Sequence, residues 1–296
     1  MSIGSARRVT TTMIAATASR AARGLLDAEP PGGQRRWTRT NHRGDSVSLL
    51  AGPAAAAGLI VAGVVGAASL RGAVATTIAT ATAAAFGVID DLDEDTAERT
   101  KGLRGHLGAL AHGRVTTGGM KVLGIGAGSL VAAAVATETR ATDGSRRSAA
   151  GWLFDVATFG ALIAASANLV NLLDLRPGRA LKATGLAAAP MALAGGRGAG
   201  VAAGIVGVSV AGLESDLDER DMLGDGGANA LGAALGAAVA LDAPRPVRLA
   251  LLAGAIGLTL VSEKVSFTEV IASTPGLREL DAWGRRPAVS TGRPAT

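Results

Sequence analysis

Five carboxylates lie within six residues where an apolar stretch of the chain ends. They are Asp90, Asp91, Asp93, Glu94 and Asp95. Carboxylates this close together repel one another unless a cation or shared protons relieve the repulsion. Oxygen-rich clusters suit a hard ion such as Mg²⁺, which usually brings substrate phosphates with it. The stretch is therefore a candidate metal and phosphate site. The alternative is a solvated acidic loop between two helices.

A basic group follows about ten residues beyond the carboxylates, at Lys101, Arg104 and His106. Such a group could hold phosphates while the carboxylates hold a metal ion. Ordinary charge balance within one loop is the alternative interpretation.

A second set of polar side chains interrupts apolar sequence near residue 170. Asn168 and Asn171 are three residues apart, so a helix would place them on one face, and Asp174 continues that face one turn later. Polar groups within an apolar segment are costly unless they are satisfied. These three could bond with one another, or they could bind a polar ligand such as a nucleobase or a ribose.

A third candidate, Asp225, stands between glycines at the start of another apolar stretch. Its position fits a helix N-cap. Glycines also allow backbone amides to approach a phosphate at the positive end of a helix. The acidic run before it, residues 214–221, has the pattern of a solvated loop.

The composition indicates an integral membrane protein. Of the 296 residues, 48% are hydrophobic and 18% are charged, whereas about a quarter of a soluble domain is usually charged. The apolar residues form blocks close to the ~20 residues that cross a bilayer. The absence of cysteine excludes a disulfide framework and any cysteine-based metal site or nucleophile. We therefore expect one integral-membrane domain over residues 1–296, with an all-α fold.

The positive charge of the chain fits a membrane surface better than nucleic acid. The formal net charge is +5 and the isoelectric point is about 10.6. The basic residues lie in loops beside apolar blocks, which favours contact with anionic lipid and charged substrates. We expect no nucleic-acid partner.

The apolar blocks predict a bundle of about nine transmembrane helices. The first is weak and lies within residues 1–27, and the others lie near 48–69, 72–89, 119–137, 151–172, 181–196, 198–213, 226–241 and 246–262. A polar tail begins at about residue 263.

Nine spans place the polar motifs on one face of the membrane. The loops 90–118, 173–180 and 214–225 all fall on that face, together with the tail. The same face carries more than half of the lysines and arginines, so the positive-inside rule makes it cytoplasmic. Arg140, Arg146 and Arg147 fall on the other face, against the general bias. We expect a multi-pass cell-membrane protein with its active site on the cytoplasmic side.

The order of the motifs resembles that of the polyprenyl-phosphate N-acetylhexosamine-1-phosphate transferases. These form the glycosyltransferase family 4 group that includes the phospho-MurNAc-pentapeptide transferases. The matching stretches are residues 87–91 (GVIDD), 168–174 (NLVNLLD) and 223–227 (LGDGG), and residues 39–44 (RTNHRG) are similar to the first cytoplasmic loop of that family. The resemblance covers roughly residues 35–285.

The resemblance implies a Mg²⁺-dependent reaction in cell-envelope polysaccharide or glycolipid synthesis. A phospho-sugar would pass from a UDP-sugar to a membrane polyprenyl phosphate, with release of UMP. Asp90 and Asp91 match paired catalytic aspartates, and Asp225 matches a metal-ligating aspartate, with Asp91 as a second metal ligand. The residues that would bind substrate are Lys101, Asn168, Asn171, Asp174 and Arg43. A homodimer is compatible with this interpretation.

The chain also departs from the pattern of that family. Pro177 stands near the place of an aspartate that usually follows the paired asparagines, and the late segment 262–268 lacks the usual histidine motif. These departures leave the identity of the sugar open. They also favour a divergent member or a non-catalytic relative that keeps the fold as a scaffold.

A UbiA-type membrane prenyltransferase is a further alternative. In that case residues 90–95 and the pair Asp221 and Asp225 would hold a prenyl diphosphate through Mg²⁺. The first motif lacks the leading asparagine of such enzymes, and this interpretation leaves residues 168–174 unexplained.

Overall fold

The computed structural model describes residues 3–93, 117–140 and 145–287. Lys101, and with it the basic group at 101–106, lies outside the described residues, as do Glu94 and Asp95. The described part of the chain contains eleven α-helices and one small β-hairpin. The helices are α1 (Ile3–Ala28), α2 (Ala51–Gly66), α3 (Leu70–Asp93), α4 (Thr117–Ala136), α5 (Ala149–Leu173), α6 (Arg179–Ala194), α7 (Ala199–Leu217), α8 (Gly224–Asp242), α9 (Arg245–Ser262), α10 (Phe267–Ser273) and α11 (Leu277–Ala282).

The helices confirm a membrane helical bundle. In the described residues, five of them are long and apolar enough to cross a bilayer, and these are α3, α4, α5, α7 and α9. Helix α2 is apolar but shorter, with 16 residues. A helix also stands at each of the nine positions that the apolar blocks indicate. The number of nine spans itself stays a prediction.

Helix α8 lies at the centre of the bundle, where it packs against α2, α3 and α5. Most of its residues are buried, and nearly all of those are alanine or glycine. Small residues let helix backbones approach closely, which favours packing between membrane helices. At Gly232 a side chain would collide with the backbone of Ser166 and Ala167 in α5. The Ala–Gly composition of α8 therefore follows from its central position.

A β-hairpin precedes α2. Strand β1 (Thr38–Thr40) pairs antiparallel with β2 (Ser46–Ser48). The Asn41 side chain closes the turn, because its Oδ1 accepts the N–H groups of Arg43 at 2.9 Å and Asp45 at 2.8 Å. An asparagine that bonds the backbone two residues on is typical of tight turns. The hairpin is an addition to the expected all-α fold.

The polar connections gather at one end of the bundle, which we call the site end. It holds the hairpin and the connections 174–178 and 218–223. The hairpin meets the second connection where the backbone of Ser48 bonds with that of Arg220 and Met222, and Gly178 of the first connection donates to Asp216 of α7. The connections 67–69, 195–198 and 243–244 lie at the opposite end. There the Arg7 guanidinium donates to the carbonyl of Ala67 at 2.7 Å.

The tail after α9 is held against the site end. The Arg179 guanidinium bonds both carboxylate oxygens of Asp281, with its Nε at 2.7 Å from Oδ1. The Lys182 ammonium donates to the carbonyls of Leu280 and Asp281 at 2.8 and 2.7 Å. Although burial acts to raise it, the hydrogen bond from Arg179 lowers the pKa of Asp281. Contacts between α6 and α11 therefore fix the position of the tail.

Candidate active site

Two of the predicted aspartates share one cation at the site end. The Lys121 ammonium donates to Oδ2 of Asp90 at 2.6 Å and also to Oδ2 of Asp225. Asp90 lies in the last turn of α3, Asp225 in the first turn of α8 and Lys121 near the start of α4. All three side chains are mostly buried. We call these three residues the aspartate–lysine triad.

Lys121 belongs to none of the motifs that the sequence shows. It is a single lysine near the start of an apolar block, between Met120 and Val122. A charge in such a position is costly unless a partner neutralises it, so a lone charged residue in a span is itself a signal of a functional or paired group. Its partners come from two other helices and could not be read from its neighbours in sequence.

Asp91 lies beside the triad and caps helix α8. Its Oδ1 accepts the N–H of Asp225 at 2.8 Å, and its Oδ2 accepts the N–H of Gly226 at 2.9 Å. The first N–H groups of a helix have no partner within the helix, and its N-terminus attracts negative charge. Leu223, which precedes α8, has no side chain that could cap it. The carboxylate that completes α8 therefore comes from α3.

Glycines explain why the two motifs can meet. A side chain at Gly87 would collide with the carbonyl of Asp225, so glycine lets α3 lie directly against the start of α8. Gly224 has a φ of +59°, which glycine tolerates better than other residues. A Cβ at Gly224 would also lie 2.8 Å from Oδ2 of Asp91. The glycines of GVIDD and LGDGG thus serve the interhelix contact that positions the triad.

The asparagines of α5 have different partners. The Asn168 amide donates to Oγ1 of Thr259 at 3.1 Å, which links α5 to α9. The backbone carbonyl of Asn171 accepts the N–H of Asp174 at 3.1 Å and closes the end of α5. Asn168 therefore faces α9, and a contact of the Asn171 side chain with substrate stays a prediction.

The carboxyl of Asp174 is influenced by the charges of the other carboxylates at the site end. Burial raises the pKa of its carboxyl well above the ordinary value, and the charges of Asp216, Asp225 and Asp91 raise it further, against a smaller opposing effect of Arg179. A carboxyl surrounded by other carboxylates is more easily protonated. It can then donate a hydrogen bond that an ionised carboxylate cannot.

Arg43 is held by groups of the protein. Its Nε donates to Oε1 of Glu219 at 2.9 Å, and its Nη2 donates to the carbonyl of Pro287 at 2.8 Å. The Asn41 amide donates to the other Glu219 oxygen at 2.7 Å. These bonds join the hairpin, the 218–223 connection and the tail. A direct contact of Arg43 with substrate stays a prediction, as does that of Lys101.

The expectation of a solvated loop at residues 214–221 was wrong for three of its carboxylates. Asp216, Glu219 and Asp221 are buried. Asp216 accepts the N–H of Gly178 at 2.5 Å, and Asp221 accepts a hydrogen bond from Arg23 of α1 at 2.6 Å. The sequence pattern failed here because the partners lie far away along the chain.

One cavity is lined by Lys121 of the triad, and another lies nearby beneath the hairpin. The first, of about 220 Å³, lies between α4, α5, α8 and α9. Its polar lining residues are Lys121, Asn168, Asn229 and Thr259, and the others are aliphatic or alanine. The second, of about 320 Å³, lies beneath the hairpin, and most of its lining residues are polar or charged. Arg39 lines this second cavity and also donates to the backbone carbonyl of Asp91 at 2.5 Å.

The carboxylates of Asp90 and Asp225 fit a metal ion that is bound together with substrate phosphates, rather than one bound by protein side chains alone. Within residues 3–93, 117–140 and 145–287, no group of three or more His, Cys, Asp or Glu is arranged to hold a metal ion. Mg²⁺, however, is commonly bound by one or two carboxylates together with substrate phosphates and water. Asp90 and Asp225 already converge on one positive charge. The assignment of Asp91 as a metal ligand stays a prediction, since both of its oxygens accept backbone N–H groups.

Comparison with models of known protein families finds no match for this chain, and comparison with curated protein sequences finds no significant similarity.

Proposed function

We propose that this chain transfers a phospho-sugar from a UDP-sugar to a membrane polyprenyl phosphate and releases UMP. The observation that carries the proposal is the aspartate–lysine triad, which lies at the head of an apolar cavity at one end of a membrane bundle. The order of the GVIDD, NLVNLLD and LGDGG motifs supports it independently.

The cavity between α4 and α9 suits the lipid substrate. Val122, Ile256 and Leu260 line it, and each leaves a large part of its side chain exposed. In a membrane bundle such side chains face the hydrocarbon, so a polyprenyl chain could enter from the bilayer. Lys121 lies among the lining residues and provides a cation for the lipid phosphate.

Asp90 and Asp225 are the residues that would hold Mg²⁺. When bound, the ion neutralises the charge that spreads over the phosphate oxygens during phosphoryl transfer. Within the triad, Lys121 holds both carboxylates close together before substrate binds. Asp91 fixes the first turn of α8, and with it the backbone position of Asp225.

Proton removal contributes modestly to the proposed reaction. A lipid phosphate is already largely ionised near neutral pH, so the nucleophile needs little activation by a base. Phosphoryl transfer depends mainly on positioning and on neutralisation of charge. The contribution of Lys121 should therefore exceed that of a general base.

The polar cavity beneath the hairpin is the proposed nucleotide side of the site. Asp174, Arg176, His42 and Arg39 line it. Carboxylates can accept hydrogen bonds from ribose hydroxyls or from a base N–H, and arginines can pair with phosphate. Arg39 lines this cavity and bonds the backbone of Asp91, so it connects the proposed nucleotide side to the aspartate that caps α8.

The triad also supports a second candidate, a non-catalytic membrane relative. Lys121 neutralises much of the charge of Asp90 and Asp225 without any metal ion. The same geometry would serve as a structural ion cluster that joins α3, α4 and α8. The prenyltransferase alternative is less favoured, because Asp221 is paired with Arg23 of α1.

A turnover assay tests the proposal. Purified protein in detergent is given a polyprenyl phosphate, Mg²⁺ and a panel of UDP-sugars, and UMP release is measured. We expect release that falls at least ~100-fold in Asp225→Asn, because a charge acting on the transition state is lost. Asp218→Asn is the matched control, since Asp218 is an exposed carboxylate at the same end, and it should keep full activity.

Other results of this assay would support one of the alternative functions. Pyrophosphate release from a prenyl diphosphate would identify a prenyltransferase. No product from any donor, with a cooperative melting transition that shows folded protein, would favour the non-catalytic relative and contradict the proposal.

A further inference from the structure

A basic cavity lies at the opposite end of the bundle, away from the triad. It has a volume of about 590 Å³ and is bounded by the ends of α4 and α8, the first half of α5, the connection before α7 and the start of α9. Five arginines line it, namely Arg140, Arg147, Arg197, Arg245 and Arg248, together with the carboxylates of Glu138, Asp155 and Asp242. The described lining residues thus carry a net charge of +2. Asp143 lies outside the described residues and is not counted.

The excess charge is concentrated around one carboxylate. Asp155 is almost fully buried and accepts hydrogen bonds from three guanidinium groups. Arg245 bonds both of its oxygens, at 2.9 and 2.7 Å, and Arg248 bonds Oδ1 at 2.5 Å. Arg147 bonds Oδ2. One negative charge therefore faces three positive charges, so two remain unbalanced.

The other two carboxylates do not neutralise this excess. Glu138 is paired with Arg197 at 2.9 Å. Asp242 accepts the backbone N–H groups of Arg197 and Gly198, so it caps the start of α7. Both are committed to groups other than the three arginines around Asp155.

One donor in the cavity lining has no partner. The Nε of Arg248 is buried and makes no hydrogen bond within the described part of the chain. A buried donor without an acceptor costs about 1–3 kcal/mol, and more for a charged group. Arg248 is 9% exposed and lines the cavity. The guanidinium of Arg248 is therefore not fully paired within the described part of the protein.

We propose that this cavity binds a phosphate-bearing anion, either the headgroup of an anionic lipid or a free phosphate. Planar guanidinium groups pair with phosphate oxygens through two parallel hydrogen bonds, so arginine is well suited to such ligands. The net charge of +2 is close to the charge of about −2 on a phosphate monoester and exceeds the single negative charge of a phosphodiester headgroup. The site is separate from the triad and does not depend on the proposed transfer reaction.

The competing explanation is a purely structural network that ties α5 to α9 through Asp155. Such a network needs its buried charges to be compensated within the protein. It predicts no specific response to phosphate, whereas the proposed site predicts a response that depends on Arg147 and Arg245. The two explanations therefore differ in a measurable way.

The experiment uses the full chain purified in detergent. Its melting temperature is measured with inorganic phosphate and with chloride at the same ionic strength, and then with micelles containing phosphatidylglycerol or phosphatidylcholine. The double variant R147Q/R245Q leaves Arg248 to pair with Asp155. The matched control is R278Q, because Arg278 is an exposed arginine in the tail at the site end and its loss removes the same kind of charge.

We expect phosphate or phosphatidylglycerol to raise the melting temperature of the wild type and of R278Q. The apparent affinity should fall about tenfold or more in R147Q/R245Q, because bonds to a charged ligand are lost. A response to phosphatidylglycerol alone identifies a lipid headgroup, and a response to inorganic phosphate identifies a free anion. The variant Arg248→Gln, with both other arginines kept, should show a smaller loss of affinity.

Two results would overturn the proposal. One is a melting temperature that phosphate and phosphatidylglycerol change no more than chloride and phosphatidylcholine do. The other is an equal response in wild type and R147Q/R245Q. If the double variant does not fold, the phosphate response of Arg248→Gln is compared with that of the wild type, and equal responses would overturn the proposal.

Discussion

Replacing Lys121 with methionine removes the positive charge that Asp90 and Asp225 share. Methionine keeps much of the length and apolar character of the lysine stem, so packing changes little. The two carboxylates, each joined to Lys121 in the wild type, would then face one another without a cation between them. Like charges at this range disfavour ionisation of both groups.

The magnitude follows from the exposure of the triad. The side chains are 17% exposed for Lys121, 21% for Asp90 and 28% for Asp225. Removing one partner of a fully buried pair costs about 3–5 kcal/mol, and an exposed pair contributes about 0–1 kcal/mol. For partly exposed groups we expect a loss of about 2 kcal/mol. At about 2–4 °C per kcal/mol for a large domain, the melting temperature should fall by about 4–8 °C.

Mg²⁺ should restore much of that loss if Asp90 and Asp225 can bind the ion. A ligand at ten times its dissociation constant stabilises the folded state by about 1.4 kcal/mol. The assay is thermal melting in detergent, with Mg²⁺ compared with Na⁺ at equal ionic strength. Lys264→Met is the control, because Lys264 is exposed in the tail and its replacement removes the same charge.

Two results would refute this reasoning. An unchanged melting temperature in Lys121→Met would mean that the triad adds no stability. A drop that Mg²⁺ reverses equally well in Lys121→Met/Asp225→Asn would mean that the ion acts somewhere else. The second result would remove the support for a metal at the triad and leave the ion-cluster interpretation.

Three further predictions concern the cap of α8, the Asp174 carboxyl and the topology. Asp91→Ala should lower the free energy of unfolding by about 2–3 kcal/mol in denaturant melts, because two N–H groups of α8 lose their acceptor. Asp91→Asn should lower it less, since an amide oxygen can still accept one of them. Equal effects of the two substitutions would contradict the capping role. Asp174→Asn should raise the melting temperature at pH 8 but not near pH 4. Because the pKa of Asp174 is raised in the folded state, that state binds the proton more tightly, and its stability falls as the pH rises from the unfolded pKa through the folded one. A difference in melting temperature between Asp174→Asn and the wild type that persists at pH 4 would exclude this cause. Reporter fusions in the loops 90–118, 173–180 and 214–225 should all report the cytoplasm, and any one of them outside would exclude a shared active site.

The positions of the helices could be predicted from the sequence, because each segment that is buried in lipid must be apolar along its own length. Each apolar block is close to the length of a membrane span. The connections between successive blocks alternate between the two faces, so the connections that carry the polar motifs share one face. The structure has a helix at every predicted block, and it gathers Asp90, Asp91 and Asp225 at one end. The length of an apolar block and the alternation of the connections can be read without knowing which helices pack against one another.

The partners of the charged residues were not accessible in that way. Lys121 and Asp225 are separated by 104 positions in the chain, and Asp91 and Asp225 by 134. A carboxylate that caps a helix and one that holds a cation look the same in sequence. For this reason Asp91 and Asp225 were given similar roles, although the structure gives them different partners.

The sequence by itself determined a membrane helical bundle and placed Asp90, Asp91 and Asp225 at one end of it, because hydrophobic blocks and chain alternation are properties of short segments. Only the tertiary structure decided that Lys121 joins the aspartates, that Asp91 completes α8, that Glu219 holds Arg43, and that three arginines surround Asp155. The physical reason is that a charge in an apolar bundle must find its counterion across helices, and that choice depends on how the helices pack.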